Sequence, residues 1–540
     1  MFKNKLFTKF ILFLIICLSL FFNLYKKDVS PPGFNADEAS FSYNAYSIAQ
    51  TGKDEYGAFL PLRLKSFGDY KLPLYTYLTV PLVKIFGLSE ITSRLLNTIL
   101  AVFFPLIIFL LGEELFANKK ISLLASFFTA ASLGLNIVGR HTHEAYLASF
   151  LVTFLLLFFI KLLKKNSWQN QLVFFVALLL SLFAYHSNRI FAGVFFLFSL
   201  YYVFVAKKLK VSFIFIFSLI LGGFLLTDVI YSPARVSNLL FFKDPGFVMR
   251  INELKGEGQA FLFNKLTIGT KEIIDDYLTY FSPQFLAINV LNSDTNYRFG
   301  FPGMGYINVI EYLGLFIGGY YLFKNKEKWK WLLILFFLSA PITAALAWQK
   351  SAMTRSFFMF IPLYIIAAYG IINFIKNIYK EKYFVPLMLF LSCCYLLFFT
   401  YNWTFYFFHY PKRALVINSW QPGYAELGDY IKKNYDRFDN FYITKDNGMP
   451  YIFLLFYLKY PPEKYQQQAA LTSPDKYGFG QVEKFDKFIF HFVHQPSQVK
   501  KSVLIGSPAD FKNITENIDH SKVITIKRNS EEIFKIYEVN

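Results

Sequence analysis

Long apolar segments recur along almost the whole of the first 400 residues or so. A run of about 18 or more nearly uncharged apolar residues is long enough to cross a bilayer as a helix. The sequence predicts about eleven spans, near residues 6–25, 90–114, 121–139, 145–163, 170–186, 190–206, 211–230, 306–323, 330–348, 355–375 and 383–402. The first run has no small-residue cleavage site after it, so we interpret it as a retained span rather than a signal peptide.

Lysines concentrate in the short gaps between these spans. With the N-terminus in the cytoplasm, every cytoplasmic gap is Lys-rich, as the positive-inside rule requires; the gaps are 119–120, 161–165, 207–210, 324–330 and 376–382. The same alternation places two long loops, 26–89 and 231–305, several short turns and the region after 403 on the outside. We therefore predict a multi-pass plasma-membrane protein with a cytoplasmic N-terminus.

The character of the chain changes after Tyr410, where it becomes polar and is punctuated by Pro and Gly. Short β-rich runs at 441–444, 488–493, 502–505 and 523–526 alternate with helical stretches such as 423–435. This alternation is typical of a small α/β domain. We expect a helical transmembrane module over residues 1–405 and an extracytoplasmic α/β domain over 406–540.

Composition supports a membrane protein and removes other classes. Hydrophobic residues make up 55% of the 540 residues. The net charge of +19 follows the topology signal of the lysines and does not indicate nucleic acid. The three cysteines, Cys17, Cys393 and Cys394, lie inside apolar runs and form no pattern for disulfides or zinc.

The first outer loop contains two adjacent acids, Asp37 and Glu38, directly after the first span. Apolar residues then recur at helical spacing, which predicts a helix along the membrane surface. Asn35 and Glu38 match a helix cap, and acids in a first turn suit the helix dipole. A carboxylate fixed at such a helix start can also accept a proton from an incoming hydroxyl. The residues alone leave both roles open.

Lys71 is a cation on the predicted outer side, where the positive-inside rule disfavours it. Two explanations stand side by side. Lys71 pairs with Asp69, or it binds a lipid phosphate, for which a compact ammonium is well suited.

The turn after the third predicted span gathers Arg140, His141, His143 and Glu144. The two histidines lack the i, i+4 spacing that places two zinc ligands on one helical face, so we expect no metal. Polar groups at a membrane boundary are more often functional than those of an ordinary loop. A solvated loop is the alternative.

Two further outer turns carry His186, Arg189 and Arg355. The arginines either snorkel at helix ends or bind a phosphate. What favours function is convergence, because acids, histidines and cations from distant parts of the sequence reach the same side of the membrane.

Several of these segments resemble membrane glycosyltransferases of the C-type fold. The likeness rests on 32–38 with its Asp-Glu pair, the 51–52 turn, Lys-Leu-Pro-Leu-Tyr at 71–75 and Ser-Arg-Leu at 93–95. It is closest to the family of protein O-mannosyltransferases and lipid A aminoarabinose transferases, and covers roughly residues 1–400. Leu72 stands where that family usually has a proline.

The resemblance implies residue roles. Asp37 matches the family's proposed base, with Glu38 beside it, and Glu144 matches a second acid. Lys71 matches the lysine that contacts the carrier phosphate, and Arg355 resembles a motif of bacterial members. Arg189 is a further phosphate candidate, and Asp69, Arg140, His143 and His186 are other site candidates.

The resemblance also implies a function. We expect transfer of a monosaccharide from a polyprenyl-phosphate donor to a glycan, lipid or protein hydroxyl outside the cytoplasm, with no cofactor. The implied fold is all-α and polytopic, with the small α/β domain attached.

Two other functions compete with this one. A transporter or flippase of lipid-linked glycans would place ionisable groups near mid-span, whereas here they lie at outer ends. An oligosaccharyltransferase of the same broad fold would carry a Trp-Trp-Asp signature, which the tail lacks.

Overall fold

The computed structural model describes residues 5–67, 69–189, 245–258, 261–289, 297–347, 350–473 and 482–540, with isolated positions between 191 and 223. The predicted spans 190–206 and 211–230 therefore lie almost entirely outside the described residues. The side chain of Asp69 lies outside them as well.

Helices dominate the described chain. They are α1 Lys5–Leu24, α2 Ala36–Thr51, α3 Leu74–Phe86, α4 Glu90–Phe116, α5 Lys119–Ala131, α6 Leu133–Gly139, α7 Glu144–Lys164, α8 Trp168–Leu182, α9 Pro245–Gly256, α10 Lys265–Thr279, α11 Val309–Lys324, α12 Lys330–Ser339, α13 Ile342–Ala345, α14 Met353–Ser356, α15 Phe360–Ile378, α16 Phe384–Thr404, α17 Ala414–Trp420, α18 Tyr424–Asn434, α19 Pro450–Tyr457, α20 Pro462–Gln468 and α21 Pro508–Lys512. The shortest of these are single turns that connect longer helices.

Strands are confined to two places. A small hairpin in the first loop pairs β1 Leu64–Ser66 with β2 Asp69–Lys71. The C-terminal region contributes β3 Asn440–Ile443, β4 Ala470–Leu471, β5 Val482–Phe485, β6 Phe488–Ile489, β7 Ser502–Gly506, β8 Ile524–Arg528 and β9 Glu531–Val539. These form one mixed sheet in the order β4-β5-β6-β3-β7-β9-β8, in which β3 runs parallel to β6 and β7. The expected α/β character of the tail is confirmed.

The protein is an integral membrane protein with several spanning helices. Within the described residues, five helical segments are long and apolar enough to cross a membrane: Lys5–Leu24, Glu90–Phe116, Glu144–Lys164, Met353–Ile378 and Phe384–Lys412. The pair α5 and α6, bent by 54°, makes a sixth if the two helices form one span.

The predicted number of about eleven spans is not confirmed. Three predicted spans correspond to shorter apolar helices, namely α8, α11 and the segment Lys330–Ala345. In the last of these, Pro341 separates α12 from α13, because proline removes a helical hydrogen bond. Average hydropathy does not register such a break, and so it overestimates the length of a helix.

The chain divides into two compact units. Unit 1 comprises Met1–Lys27 and Asn97–Phe407, and unit 2 comprises Asp28–Leu96 and Phe408–Asn540. The first long loop, residues 26–89, thus belongs almost entirely to the same unit as the C-terminal sheet. The sequence gives no sign of this grouping.

One apolar core holds unit 2 together. Phe34 and Tyr43 from the first loop lie in the same cluster as Phe441 of β3 and Phe453 of α19. Eleven of the sixteen residues of α2 are buried. The predicted helix is therefore confirmed, but within unit 2 it is enclosed on most sides and is not an amphipathic helix with one apolar face.

Candidate active site

The start of α2 is fixed by a reciprocal pair of hydrogen bonds. The Asn35 side chain accepts from the backbone N–H of Glu38 at 3.1 Å, and the Glu38 carboxylate accepts from the backbone N–H of Asn35 at 3.2 Å. This arrangement satisfies two backbone donors that a helix start otherwise leaves unpaired. The cap predicted from the sequence is confirmed. Gly52, with φ at +70°, closes the other end of α2 in the left-handed conformation that glycine adopts without strain.

Glu38 points into unit 2 and pairs with Arg94. Arg94 donates from Nε to Oε1 and from Nη2 to Oε2 of Glu38, both at 2.9 Å. The Glu38 side chain is fully buried, and that of Arg94 is nearly so. A two-point contact of this kind fixes the orientation of both side chains. Glu38 therefore anchors the first turn of α2.

The C-terminal part of unit 2 also holds this segment in place. A Cβ atom added to Gly33 would lie 2.5 Å from the carbonyl oxygen of Trp420, a clash that only glycine avoids. Arg94 donates to the carbonyl oxygen of Gly33 at 2.6 Å, and Gln421 accepts from the N–H of Ala36 at 3.0 Å. The chain just before Asp37 is thus held by contacts on several sides.

The Asp37 side chain, by contrast, is partly exposed and pairs with Lys71. Successive helical residues are rotated by about 100°, so the side chains of Asp37 and Glu38 diverge. The Asp37 side chain is 44% exposed, and its Oδ1 atom lies 2.9 Å from Nζ of Lys71. Lys71 ends β2 and is placed by the hairpin with β1. Its ammonium also lies over the rings of Phe41, at 4.4 Å, and Phe67, at 5.0 Å, which is the geometry of a cation–π contact.

A third carboxyl group, that of Glu55, lies buried near Lys71. Among the described residues neither of its oxygens makes a hydrogen bond of good geometry, although the side chain of Asn44 lies near enough to favour the charged form. Burial, with the charge of Asp54 as a second cause, raises the pKa of Glu55 from about 4.5 to about 8, and the charge of Lys71 acts in the opposite direction. No motif in the sequence marks Glu55, and its neighbours include aromatic residues from the distant tail, such as Tyr451 and Tyr465.

This raised pKa predicts how stability depends on pH. Below about pH 4.5 the carboxyl group is protonated in both folded and unfolded chains, and its burial costs least. Between about pH 4.5 and 8 the unfolded chain loses this proton while the folded chain keeps it, so the free energy of unfolding falls. Glu55→Gln, which cannot ionise, should avoid this fall. Its advantage should grow to the order of a few kcal/mol by about pH 8 and then level off.

Thermal unfolding of the full chain in detergent, from pH 5 to 9, measures this effect. The midpoint of the wild type should fall with pH relative to that of Glu55→Gln. Parallel curves for the two proteins would show that Glu55 does not titrate as its burial implies.

In unit 1, Arg140 makes hydrogen bonds to the C-terminal end of α1. Its guanidinium donates to the carbonyl oxygens of Phe22 and Tyr25, the latter at 2.8 Å. It also lies over the rings of Tyr406 and Phe407. Cationic side chains stabilise the last carbonyls of a helix in this way. The described contacts of Arg140 thus explain its burial.

The neighbouring turn is organised by His143 and Asn97. The Nδ1 atom of His143 accepts from the backbone N–H of Ala145 at 3.0 Å and so caps α7. Asn97 donates to the carbonyl oxygens of His141 and His143, at 2.7 and 3.0 Å. Glu144 opens α7 and is about one-fifth exposed, with an oxygen 3.9 Å from Nδ1 of His143. The carboxyl group of Glu144, the second acid that the resemblance implies, is therefore partly accessible from the surface of unit 1.

His186 and Arg189 lie in the next predicted outer turn. The backbone N–H of Arg189 donates to the carbonyl oxygen of His186 at 3.2 Å, and the Arg189 side chain is almost entirely buried. The rings of Tyr185 and His143 are 6.2 Å apart. These two turns of unit 1 therefore lie side by side.

Arg355, also in unit 1, lies near the buried Tyr280, which in turn lies near the buried Asp276; the sequence did not indicate either of these two residues. Asp276 accepts from the N–H of Ser351 at 3.2 Å, and its other oxygen has no partner among the described residues. Burial raises the pKa of Asp276 to about 6. Burial and the charge of Asp276 also raise the pKa of Tyr280, whereas Arg355 lowers it. The Nη1 atom of Arg355 likewise has no partner within the described chain.

The structure thus brings some predicted site residues into direct contact. Asp37 pairs with Lys71 in unit 2, and His143 lies beside Glu144 in unit 1. Arg94 belongs to the Ser-Arg-Leu segment that contributes to the sequence resemblance, but the sequence assigned no role to it; as a charge near the start of an apolar span it was only a weak signal. Among the residues that the structure describes, no three His, Cys, Asp or Glu side chains are arranged to hold a metal ion.

Comparisons with known proteins establish the fold. No family model matches the chain, and no curated protein matches it in sequence. The chain is similar to ArnT from Cupriavidus metallidurans bound to undecaprenyl phosphate, with 10% identity over 97% of both chains and a TM-score of 0.53. The apo state of the same protein matches with a TM-score of 0.55 over 97% of this chain and 96% of that one.

A second similarity is to an archaeal oligosaccharyltransferase. The match is to AglB from Archaeoglobus fulgidus in complex with an inhibitory peptide and a dolichol-phosphate, with 13% identity, 84% of this chain covered and a TM-score of 0.51. This chain spans only 64% of the length of that enzyme. The fold is therefore that of C-type membrane glycosyltransferases, as the resemblance in sequence predicts.

Proposed function

We propose that this protein is a membrane glycosyltransferase that moves a monosaccharide from a polyprenyl-phosphate donor to a hydroxyl group outside the cytoplasm. The acceptor belongs to a glycan, a lipid or a protein. The observation that carries the proposal is the contact of Asp37 with Lys71 at 2.9 Å. This contact supports the proposal because it joins the two residues to which the sequence resemblance gives the roles of base and phosphate-binding cation.

The chemistry that we propose is direct displacement at the anomeric carbon. Asp37 takes the proton of the acceptor hydroxyl as its oxygen attacks, and the carrier phosphate leaves with the bonding electrons. Lys71 stabilises the charge on the leaving phosphate, since fixed cations act strongly in a site that excludes water. Arg189 and Arg355 are further candidates for the phosphate, and Glu144 is the second candidate acid.

Support for a lipid-linked donor comes from the bound ligands of the fold relatives. One of them holds undecaprenyl phosphate and another holds dolichol-phosphate.

The proposed orientation, with the N-terminus in the cytoplasm, puts the loop with Asp37 outside, where nucleotide sugars are absent. Reporter fusions after Lys165 and at Asn540 should label opposite sides of the membrane, and labelling of one side only would contradict this orientation.

Lys71→Ala should impair use of the donor. Losing a charged hydrogen bond to phosphate costs about 1.5–3 kcal/mol, which corresponds to a roughly tenfold to hundredfold lower kcat/KM for the donor. Purified full-length protein in nanodiscs, supplied with a polyprenyl-phosphate sugar, allows release of the polyprenyl phosphate to be measured.

Lys65→Ala is the matched control. Lys65 lies in the partner strand of the same hairpin, and its ammonium lies over the ring of Tyr56 at 4.9 Å. Lys65 is partly buried and is not among the residues that we propose to bind the phosphate. This variant should therefore stay within about twofold of the wild type, the scale of a modest charge contribution. Equal losses in the two variants would mean that Lys71 contributes only general positive charge.

A further inference from the structure

We propose that Lys71 has a second role, which is to hold Asp37 in an ion pair until the donor phosphate displaces it. The base then becomes available only after the donor has bound, so that the reaction is ordered with the donor first. This inference rests on the proposed function and concerns the regulation of the same site.

The geometry shows that the ion pair is built into unit 2. Asp37 belongs to a helix turn held by the Asn35 cap and by the pair of Glu38 with Arg94. Lys71 belongs to the hairpin of β1 and β2. Both partners are therefore presented by fixed backbone, and their contact at 2.9 Å is a defined feature of the fold rather than a chance meeting of two long surface chains.

The two side chains differ in a way that suits an exchange of partners. The Lys71 side chain is only 15% exposed, whereas that of Asp37 is 44% exposed. The ammonium also lies over two aromatic rings, which keep it in position when its anionic partner changes. An incoming phosphate can thus replace Asp37 at Lys71 with little movement of the lysine.

The chemical consequence follows from what a base needs. A carboxylate in contact with an ammonium is stabilised in its charged form and accepts a proton less readily. When the donor phosphate takes the ammonium, Oδ1 of Asp37 can accept the proton of the acceptor hydroxyl. The acceptor oxygen then bonds to the anomeric carbon as the bond from that carbon to the phosphate oxygen breaks. The phosphate departs with the electron pair and stays bound to Lys71.

Without this ion pair, Lys71 would not restrain the base before the donor arrived. A site with Lys71 held elsewhere would bind acceptor and donor in either order. The exchange makes the donor a condition for catalysis, because its own charge switches the base on.

A double-mutant cycle tests the exchange, with undecaprenyl phosphate as the probe. Its Kd is measured on the full-length protein in nanodiscs of neutral lipid, for the wild type, Asp37→Asn, Lys71→Met and the double variant. Asp37→Asn should tighten binding, because the phosphate no longer has to displace a carboxylate from Lys71. The expected change in Kd is about threefold to fivefold, because a single partly exposed ion pair contributes only a modest free energy. In the Lys71→Met background the same change should have no more than about a twofold effect.

The cycle separates the exchange from simple repulsion between Asp37 and the phosphate. Repulsion would tighten binding equally in both backgrounds, and that result would overturn the proposal. A second outcome would also overturn the exchange: Asp37→Asn does not tighten binding, but Lys71→Met still weakens it. In that case Lys71 would remain a phosphate ligand of the proposed enzyme. If Lys71→Met binds as the wild type does, both the exchange and the proposed phosphate role fail.

Two controls protect the measurement. Asp37→Ser removes the same charge with a different side chain and is expected to reproduce the tightening. It replaces Asp37→Asn in the cycle if that variant folds poorly. Asp28→Asn removes an exposed carboxylate from the same loop and should leave the Kd unchanged. Tightening by Asp28→Asn equal to that by Asp37→Asn would assign the effect to net charge and overturn the exchange.

Discussion

Turnover should fall by about 10²-fold or more when Asp37 is replaced with asparagine, which is the usual scale for loss of a general base. An amide cannot take the proton of an acceptor hydroxyl at neutral pH. The folded structure should change little, because Asp37 is half exposed and takes no part in the helix cap. Transfer kinetics on purified protein, normalised to the folded fraction, measure the effect. The KM for the donor should not rise, since Lys71, the proposed phosphate ligand, remains.

Glu38→Gln is the matched control, because it makes the same amide change one residue further on. Glu38 is buried against Arg94, so this variant should lose thermal stability while keeping more of its turnover per folded molecule than Asp37→Asn. The reverse pattern, with a stable but inactive Glu38→Gln and a normal Asp37→Asn, would exchange the roles of the two acids. Normal turnover in both would direct attention to Glu144.

Arg94→Met should destabilise the protein by about 3–5 kcal/mol, the cost of leaving one member of a buried ion pair without its partner. The change leaves the Glu38 carboxylate buried and also removes the hydrogen bond to the carbonyl oxygen of Gly33. A lower midpoint of thermal unfolding and earlier proteolysis within residues 28–96 should report the loss. Activity should fall with it, because α2 carries Asp37.

The double variant Glu38→Gln with Arg94→Met distinguishes the charge from the packing. With no buried charge left, it should recover a large part of the stability lost in Arg94→Met, since replacing both members of a buried pair is often nearly neutral. A double variant as unstable as Arg94→Met would show instead that the lost contacts of the arginine side chain, and not the stranded carboxylate, cause the defect.

Local signals in the sequence predict local structure well here. The cap of α2 follows from Asn35 and Glu38 alone, because both of its hydrogen bonds span three residues. The strands at 440–443, 502–506 and 524–528 follow from short β-rich runs between turn residues. The contacts of the cap lie close together in the sequence. The strands can be predicted from the residues of each run, although β3 pairs with β7 about 60 residues away.

Pairings between distant residues are not predictable in the same way. Lys71 invites pairing with Asp69, two residues away, whose side chain lies outside the described residues. Within the described part of the chain, Lys71 pairs with Asp37, 34 residues away. The resemblance places Asp37 and Lys71 in one site, but only the geometry brings them into contact. Likewise, nothing near Glu38 in the sequence indicates that Arg94, 56 residues away, will neutralise it.

Unit 2 is assembled from two segments that the ribosome delivers far apart in time. Phe34 and Tyr43 share their core with residues of the tail such as Phe453 and Tyr465, but residues 97–407 come between the two segments. At about 5–20 residues per second, roughly 15–60 s of synthesis separate them. During that interval the first loop lacks the partners of its aromatic residues, and the turn that carries Asp37 lacks the support of Trp420 and Gln421. Synthesis of the final quarter of the chain therefore determines when the loop that carries Asp37 can complete the core of unit 2.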